Sequence, residues 1–197
     1  EKIFIAGDLV GYYYYADKVI DICMKNEEIY CIRGNHEQNF LNALDDTLLM
    51  SNFTKKYGSS YERLKKKLTN DQVNWLQQLP ERLSFKINNV TITLAHSSIL
   101  SDGQYVYPDM PSETLCSQLS NSKFTVLGHT HHAFIWCKNN KYLVNPGSVG
   151  QPRDQRDLAS FFYLDTTNGS LLPRKIIFPI KRLKRDVAKF DSNNKYL

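Results

Sequence analysis

Residues 1–15 read EKIFIAGDLVGYYYY, in which a short apolar run leads directly into Gly7 and Asp8. The run predicts a strand over residues 2–6 that delivers the Asp8 carboxylate to one edge of a sheet. A carboxylate in that position is costly unless it is paired, hydrogen-bonded or bound to a metal. We therefore expect Asp8 to meet polar groups that other strands bring to the same edge.

Other predicted strands also end on polar residues. Three such junctions are residues 29–32 before RGNHE at 33–37, residues 90–95 before His96, and residues 123–127 before GHTHH at 128–132. All five histidines of the chain lie in these segments. Because ligand sites of open α/β sheets lie beyond the carboxyl ends of the strands, these junctions predict one shared site.

The residue types at these junctions agree with one another. Carboxylate, amide and imidazole donors together suit Mn, Fe, Zn or Ni, and they differ from a soft thiolate site. His129 and His131 are two residues apart, so an extended backbone would place both on one side and His132 on the other. Each residue alone has a simpler interpretation, as a core or surface histidine or a turn. The four junctions together predict a metal site.

The chain has 197 residues, of which 42% are hydrophobic, and this size predicts a single domain over residues 1–197. It contains no run of about 18 apolar residues, so we expect no membrane partner. Its four cysteines include no CxxC pair, a pattern typical of reduced cysteines in a cytoplasmic protein.

Short β-like runs alternate with longer helix-like ones in the first half of the chain, and hairpins are predicted in the second half. The hairpins turn at Asn88-Asn89, Asn139-Asn140 and Asn168-Gly169. Helices are predicted over residues 17–25, residues 38–50, from Thr69 or Asn70 to about Pro80, and residues 111–121. This mixture predicts the α/β class, with packed mixed sheets flanked by helices.

Two stretches of the chain are strongly basic. Residues 55–67 hold six basic residues and one acid, and residues 174–189 hold seven basic residues and one acid. We expect both stretches to be solvated helical faces. The less favoured alternative is a surface for nucleic acid or another polyanion, which would bind in a salt-dependent way and without a metal.

Five motifs resemble those of the calcineurin-like metallophosphoesterases: GDLVGY, RGNHE, LAHSS, GHTH and NPGSVGQPRD. The last motif is most similar to the small bacterial and archaeal phosphodiesterase branch, and the resemblance runs from Lys2 to about Asp165. It implies a four-layer α-β-β-α sandwich and a metal-dependent phosphoesterase. The implied reaction is hydrolysis of a phosphate ester, above all a phosphodiester, by attack of a metal-bound hydroxide at a two-metal site.

The resemblance implies the metal ligands residue by residue. Asp8 matches the aspartate that bridges two divalent metals, for which manganese is favoured and iron, zinc and nickel are alternatives. The second metal takes the residues that match Asn35, His96 and His129, and the first takes the residue that matches His131. The family's Asp-x-His motif, which completes the first site, does not occur in this chain. We therefore expect the chain to lack the N-terminal strand and helix of a longer protein and to hold one metal; a naturally short variant is the alternative.

The same resemblance implies a small-molecule or nucleotide phosphoester as substrate. His36 is expected over the substrate, as proton donor or electrostatic partner of the leaving oxygen. Arg33 and Arg153 are expected to bind phosphate oxygens, with a surface ion pair as an equal alternative for Arg33. The loop that holds Asn145 and Arg153 is a candidate to contact a histidine ligand. Tyrosines 12–15 are expected to pack in the core and at the rim of the site. The alternative is that they stack on a nucleobase or aryl group of the substrate.

Two other functions stay open. A phosphomonoesterase or protein phosphatase would share RGNHE, but the arginine that follows Gly-Asp in the protein phosphatases is absent here. A scaffold on the same fold, like a retromer subunit, would be free to lose active-site residues, whereas this chain keeps His36 and the later ligands.

Overall fold

The computed structural model describes residues 1–155 and 157–194. Its backbone divides into two compact units, which we call the terminal unit (residues 1–80 and the segment that begins at Pro179) and the central unit (residues 81–178). The terminal unit contains β1 (Ile3–Ile5), α1 (Ala16–Lys25), β2 (Ile29–Cys31), α2 (Asn35–Ala43), α3 (Thr47–Tyr57), α4 (Ser60–Lys65), α5 (Asn70–Gln78) and α7 (Ile180–Phe190). The central unit contains β3 (Arg82–Ile87), β4 (Val90–Ala95), α6 (Ser112–Ser117), β5 (Phe124–Leu127), β6 (Ala133–Lys138), β7 (Lys141–Pro146), β8 (Leu158–Asp165) and β9 (Ser170–Ile177).

In the terminal unit, β1 and β2 form a parallel pair with Ile3 opposite Ile29. Helices flank this pair, and the core between them contains buried side chains such as Ile20 of α1, Phe40 of α2 and Leu76 of α5. Because parallel strands end on the same side, the segment after β1 and the segment after β2 lie next to each other. The first segment holds Asp8 and the second leads into α2.

Two helix predictions are wrong in their bounds. The helix predicted over residues 38–50 is two helices, since α2 begins at Asn35 and α3 begins at Thr47. Asp46 explains the break, because its Oδ1 accepts the backbone N–H of Leu49 at 2.8 Å and so caps a new helix. The helix predicted over residues 111–121 is only the six-residue α6. Of the two caps predicted for α5, Thr69 or Asn70, Thr69 is the cap, with Gln72 N–H donating to its Oγ1 at 3.3 Å.

The central unit contains a five-stranded mixed sheet with the order β3-β4-β5-β7-β6. β4, β5 and β7 run parallel, and the two edge pairs are the hairpins predicted around Asn88-Asn89 and Asn139-Asn140. The third predicted hairpin, β8 with β9, forms a separate two-stranded sheet. The parallel pairing of β4 with β5 brings together the carboxyl ends that carry His96 and the segment from Gly128 to His132.

The predicted α/β class, with sheets flanked by helices, is confirmed. Division into two compact units does not decide whether residues 1–197 fold as one domain, which stays a prediction. Among the described residues, no helix is both long enough and apolar enough to cross a bilayer.

Candidate functional site

The segment after β1 makes a tight turn that exposes the Asp8 carboxylate to the start of α2. Gly7 and Asp8 both adopt positive φ, at 85° and 58°, a region that Asp tolerates better than most residues. Oδ1 of Asp8 accepts the backbone N–H of His36 at 3.0 Å. An acid at a helix N-terminus is favoured by the unpaired N–H groups there, so this contact holds the predicted ligand against α2.

Glu37 connects the turn after β1 to the start of α2 through its carboxylate. Its carboxylate is fully buried and accepts the backbone N–H groups of Gly34, Asp8 and Val10 at 2.7, 2.8 and 3.0 Å. Burial first, and then the charge of Asp8, raise the pKa of Glu37 to about 7, while the three N–H bonds oppose the rise. Glu37 was not among the residues predicted from the sequence to have a role. Its position as third residue of α2, where glutamate often reaches back to the helix start, is a signal that could have found it.

His36 lies in a cage of tyrosines. Its buried ring packs at centroid distances of 4.8 Å from Tyr57 and 5.1 Å from Tyr12. Tyr61 Oη lies 2.9 Å from His36 Nδ1 and donates to the His36 carbonyl at 3.0 Å. Since the hydroxyl gives its one hydrogen to the carbonyl, Nδ1–H must be the donor to Oη, and Nε2 carries the lone pair of the neutral ring.

Two neighbours make this orientation rigid. Burial, and then the charge of Asp8, raise the pKa of the Tyr61 phenol far above its ordinary value, so the hydroxyl keeps its hydrogen. Gly11 lies against the ring with φ of +123°, and a side chain there would collide with Nδ1 and lie 2.7 Å from Cγ of His36. Ser60 Oγ donates to the Gly11 carbonyl and holds it in place. Gly11 is therefore a glycine because the imidazole occupies the space of a Cβ.

In the central unit, the ends of β4 and β5 bring two imidazoles together edge to face, with ring centroids 5.0 Å apart. Nε2 of buried His96 lies 3.1 Å from Nδ1 of His129. Nε2 of His129 lies 3.3 Å from the Gly103 carbonyl, which can only accept. Nε2 of His129 is therefore the protonated nitrogen, and its Nδ1 faces His96 with a lone pair. The ring of Tyr105, 4.2 Å away between centroids, covers His129.

His131 is buried on the same loop, and its Nδ1 lies 2.7 Å from the Gln151 carbonyl. That bond fixes Nδ1–H as donor and places the lone pair on Nε2, the usual arrangement of a metal-ligating histidine. Fully buried Asn145 braces the loop, since its amide donates to the Gly128 carbonyl at 2.6 Å and to Thr130 Oγ1 at 3.0 Å. The segment 145–153 thus supports the histidine loop, as its motif suggested.

The backbone of this loop corrects one expectation. An extended chain was expected to place His129 and His131 on one side, but both residues adopt left-handed conformations, with φ of 66° and 60°. The loop coils because the Thr130 N–H bonds to the Gly128 carbonyl at 2.7 Å. His132 has different partners from His129 and His131. Its Nδ1 lies 2.8 Å from the Thr130 carbonyl, and its ring is edge-on to Tyr107.

The remaining predicted residues lie close to these groups within their own units. Arg33 and Asn35 are half-buried on either side of Gly34, and Asn35 is the first residue of α2. Arg153 is exposed, and its backbone N–H donates to the His131 carbonyl at 3.2 Å. The terminal unit therefore gathers Asp8, Arg33, Asn35 and His36 around two strand ends, and the central unit gathers His96, His129 and His131 around two others.

The donor set fits a divalent transition metal. Two nitrogens at 3.1 Å have about the separation that neighbouring ligands of one cation adopt when each lies about 2.0–2.2 Å from it. Both His129 and His131 hold their second ring nitrogen on a backbone carbonyl, which orients a ligand ring. The imidazoles of the central unit, and the carboxylate and amide of the terminal unit, are each donor types that suit Mn, Fe or Zn.

Comparison with known proteins finds relatives of similar sequence and fold. The chain is 24% identical to the uncharacterized protein MJ0912 of Methanocaldococcus jannaschii, over 96% of this chain and 81% of that protein. Its fold is similar to that of the hypothetical protein PH1004 from Pyrococcus horikoshii, with a TM-score of 0.83, 18% identity, and coverage of 96% and 80% of the two chains. A metallophosphoesterase from Sphaerobacter thermophilus is similar at a TM-score of 0.75, with 18% identity and coverage of 96% and 83%.

The decisive match is to a family. The sequence model of the calcineurin-like phosphoesterase superfamily domain matches residues 1–169, which is most of the chain. This match includes every residue that the sequence analysis assigned to the metals or the substrate. The family supports a metal-dependent phosphoesterase, in agreement with the histidine, carboxylate and amide donors described above. The chain belongs to the calcineurin-like phosphoesterase superfamily.

Proposed function

We propose that this protein is a metal-dependent phosphodiesterase that hydrolyses a small-molecule or nucleotide phosphoester. The observation that supports it most is the facing pair of nitrogens, His96 Nε2 and His129 Nδ1, at the carboxyl ends of two parallel strands. A pair of imidazoles held in this way serves metal binding better than it serves packing, because His129 Nδ1 presents a lone pair. The archaeal and bacterial branch that the NPGSVGQPRD motif resembles supports the diester preference.

The proposed ligands follow the family pattern. In that pattern Asp8 is shared by two divalent cations, with Asn35, His96 and His129 on one and His131 on the other. This chain would hold the first of them, with manganese as the first choice, since Asp8 and His131 alone are too few ligands for the second. When bound, such cations supply Lewis-acid chemistry, which offsets the charge of the phosphate and activates a water.

His36 is the proposed proton donor to the leaving oxygen. Because Nδ1–H donates to Tyr61, Nε2 is the nitrogen that would give a proton to the leaving oxygen, and it has one to give only when the ring is the doubly protonated imidazolium. The cage of Tyr12, Tyr57 and Tyr61 fixes the direction in which Nε2 points. Arg33 and Arg153 would bind the non-bridging phosphate oxygens, a task for which the planar guanidinium is suited.

The proposal is tested by metal content and by hydrolysis of bis(p-nitrophenyl) phosphate beside p-nitrophenyl phosphate. The diester is expected to turn over faster, and His129→Ala is expected to lose both bound metal and diester activity. His132→Ala is the matched control, since its ring contacts Tyr107 and the Thr130 carbonyl, and it should keep both. Equal losses in the two variants would contradict the ligand assignment. Faster monoester turnover would indicate a phosphomonoesterase, and metal binding without turnover would indicate a scaffold.

A second variant separates chemistry from metal binding. His36→Ala is expected to keep its metal and to lower turnover by about 10²–10⁴-fold, the usual contribution of a positioned proton donor. Metal analysis and turnover are measured on the same sample. Parallel loss of metal and activity would show that His36 acts through the metal site and not on the leaving oxygen.

A further inference from the structure

The first basic stretch and the part of the second that forms α7 meet in the terminal unit. Residues 55–67 form parts of α3 and α4, and α7 lies directly against them. The carboxylate of Asp191 accepts Ser59 N–H at 2.8 Å and Ser59 Oγ–H at 2.9 Å, while the Arg63 guanidinium lies 3.8 Å from the Phe190 ring centroid. Segments more than a hundred residues apart in sequence therefore share one surface.

One side of α7 packs against the tyrosines that precede α1. Residues 182, 186 and 190 are four apart and so share a helix face. Asp186 accepts Tyr15 Oη–H at 2.7 Å, Arg182 lies over the Tyr15 ring, and Phe190 packs edge-on to Tyr14 at 5.0 Å. The last two tyrosines of the 12–15 run thus anchor α7, and the only acid within the helix is already bound by a hydroxyl.

The adjacent side of α7 is basic and exposed. Lys181, Arg185 and Lys189 are also four apart, and Lys184 lies beside them; all four are exposed. In the described part of the chain, none of the four forms an ion pair with an acid. Exposed Lys55 of α3 lines a groove of about 320 Å³ together with Thr54 and residues 190–194. We call Lys55, Lys181, Lys184, Arg185 and Lys189 the basic surface.

We propose that the basic surface binds the phosphate backbone of a nucleic acid strand. A row of cations that no acid neutralises gains affinity for a polyanion by releasing its condensed counterions. The cations repeat along one helix face, which suits a linear array of phosphates better than a single small anion. This activity goes beyond the proposed hydrolysis and needs neither the metals nor His36.

An anionic membrane fits the same charge but not the apolar residues of α7. A helix that lies in a membrane surface inserts its apolar side chains among the lipids. Here Phe190 packs on Tyr14 and Arg63, and Leu183 and Val187 are half-buried against the protein. The side of α7 that is left for a partner carries basic side chains, and its one apolar side chain is the small Ala188.

The experiment is fluorescence anisotropy of a labelled oligothymidylate of about 20 nucleotides with the full chain in excess chelator. We expect a Kd of about 10⁻⁴–10⁻⁶ M that weakens steeply with salt. The double variant Lys181→Gln/Arg185→Gln should weaken binding by about 10-fold and lower the slope of log K against log salt by about 1.4, or about 0.7 for each lost phosphate contact. Its matched control is Lys86→Gln/Lys138→Gln, which removes the same charge from exposed positions of β3 and β6 and should change the Kd less than about 2-fold.

Three results would overturn the proposal. Equal weakening in the two double variants would show that only net charge matters. Absence of binding to the oligonucleotide at low salt would show that the surface is solvated and nothing more. Binding to phosphatidylserine vesicles without binding to the oligonucleotide would assign the surface to a membrane. Because chelator is present throughout, failure of the proposed hydrolysis would not alter any of these results.

Discussion

The terminal and central units hold their candidate loops with opposite kinds of buried side chain. Glu37 in the terminal unit is an acceptor for three backbone N–H groups after β1 and β2. Asn145 in the central unit is mainly a donor, to the Gly128 carbonyl and the Thr130 hydroxyl after β5. Both side chains are fully buried. In each unit, therefore, one buried polar side chain supports the loop that carries the candidate metal ligands.

The difference follows from which backbone groups the loop turns inward. The Gly7–Val10 turn directs N–H groups to the interior, and only an acceptor such as a carboxylate can satisfy several at once. The histidine loop directs a carbonyl inward, which requires a donor such as an amide. The carboxylate has a cost that the amide avoids, because burial disfavours its charge and raises the pKa of Glu37 to about 7. The terminal unit thus depends more heavily on a single residue.

Glu37→Ala should have the largest effect on this comparison. It leaves the N–H groups of Gly34, Val10 and part-buried Asp8 without their acceptor, at about 1–3 kcal/mol each, so we expect the free energy of unfolding to fall by about 3–9 kcal/mol. Urea unfolding followed by circular dichroism measures it. Glu37→Gln, which keeps one acceptor oxygen, should lose roughly half as much. A loss under about 1 kcal/mol for Glu37→Ala would mean that water replaces the carboxylate and that the site is less closed than its burial indicates.

Asn145→Ala should have an intermediate effect. It removes two donated bonds and the acceptor of the Gly147 N–H, and we expect a loss of about 2–4 kcal/mol by the same measurement. Asn145→Asp sharpens the test, since a carboxylate keeps the shape and the acceptor but cannot donate to the Gly128 carbonyl. It should be no more stable than Asn145→Ala. If it were as stable as the wild type, the loop would need an acceptor, as the terminal unit does.

The smallest effect is expected from a carboxylate on the surface, Asp154. It accepts the Lys175 ammonium at 2.7 Å and the Gln155 N–H at 2.7 Å. Burial acts to raise the pKa of Asp154, but the Lys175 hydrogen bond and the backbone N–H bonds outweigh it and leave the pKa below its ordinary value of 3.8. A lowered folded-state pKa gives stability that is present above the unfolded pKa and is lost as the pH falls through the folded one.

The stability difference between wild type and Asp154→Asn should therefore be less than about 1 kcal/mol at neutral pH, since the ion pair is partly exposed, and should shrink below about pH 4. Thermal unfolding of both proteins at several pH values measures the stability difference at neutral pH and its decrease in acid. If this stability difference grew as the pH fell, the prediction would be wrong in sign. That result would show that the Asp154 carboxylate is unfavourable in the folded protein.

Short-range patterns of the sequence determined a large part of the molecule. Strands at 3–5, 29–31 and 90–95 and the three hairpins follow from apolar runs and asparagine or glycine turns, which act over a few residues. The clustering of every histidine at strand ends predicted the candidate site, and the motifs indicated the family. The prediction of one helix over residues 38–50 was wrong because Asp46, within that range, caps a new helix.

Only the tertiary structure decided what supports those elements. Glu37 meets N–H groups 27 and 29 residues away, Asn145 reaches 15 and 17 residues back, and Tyr14 bonds to Asp191 across 177 residues. No periodicity in the sequence encodes such pairs, because a buried polar group is satisfied by whichever unpaired backbone or side-chain group the fold brings to it. For the same reason the sequence shows two separate basic stretches, and their union on one surface exists only once α7 has packed against α3 and α4.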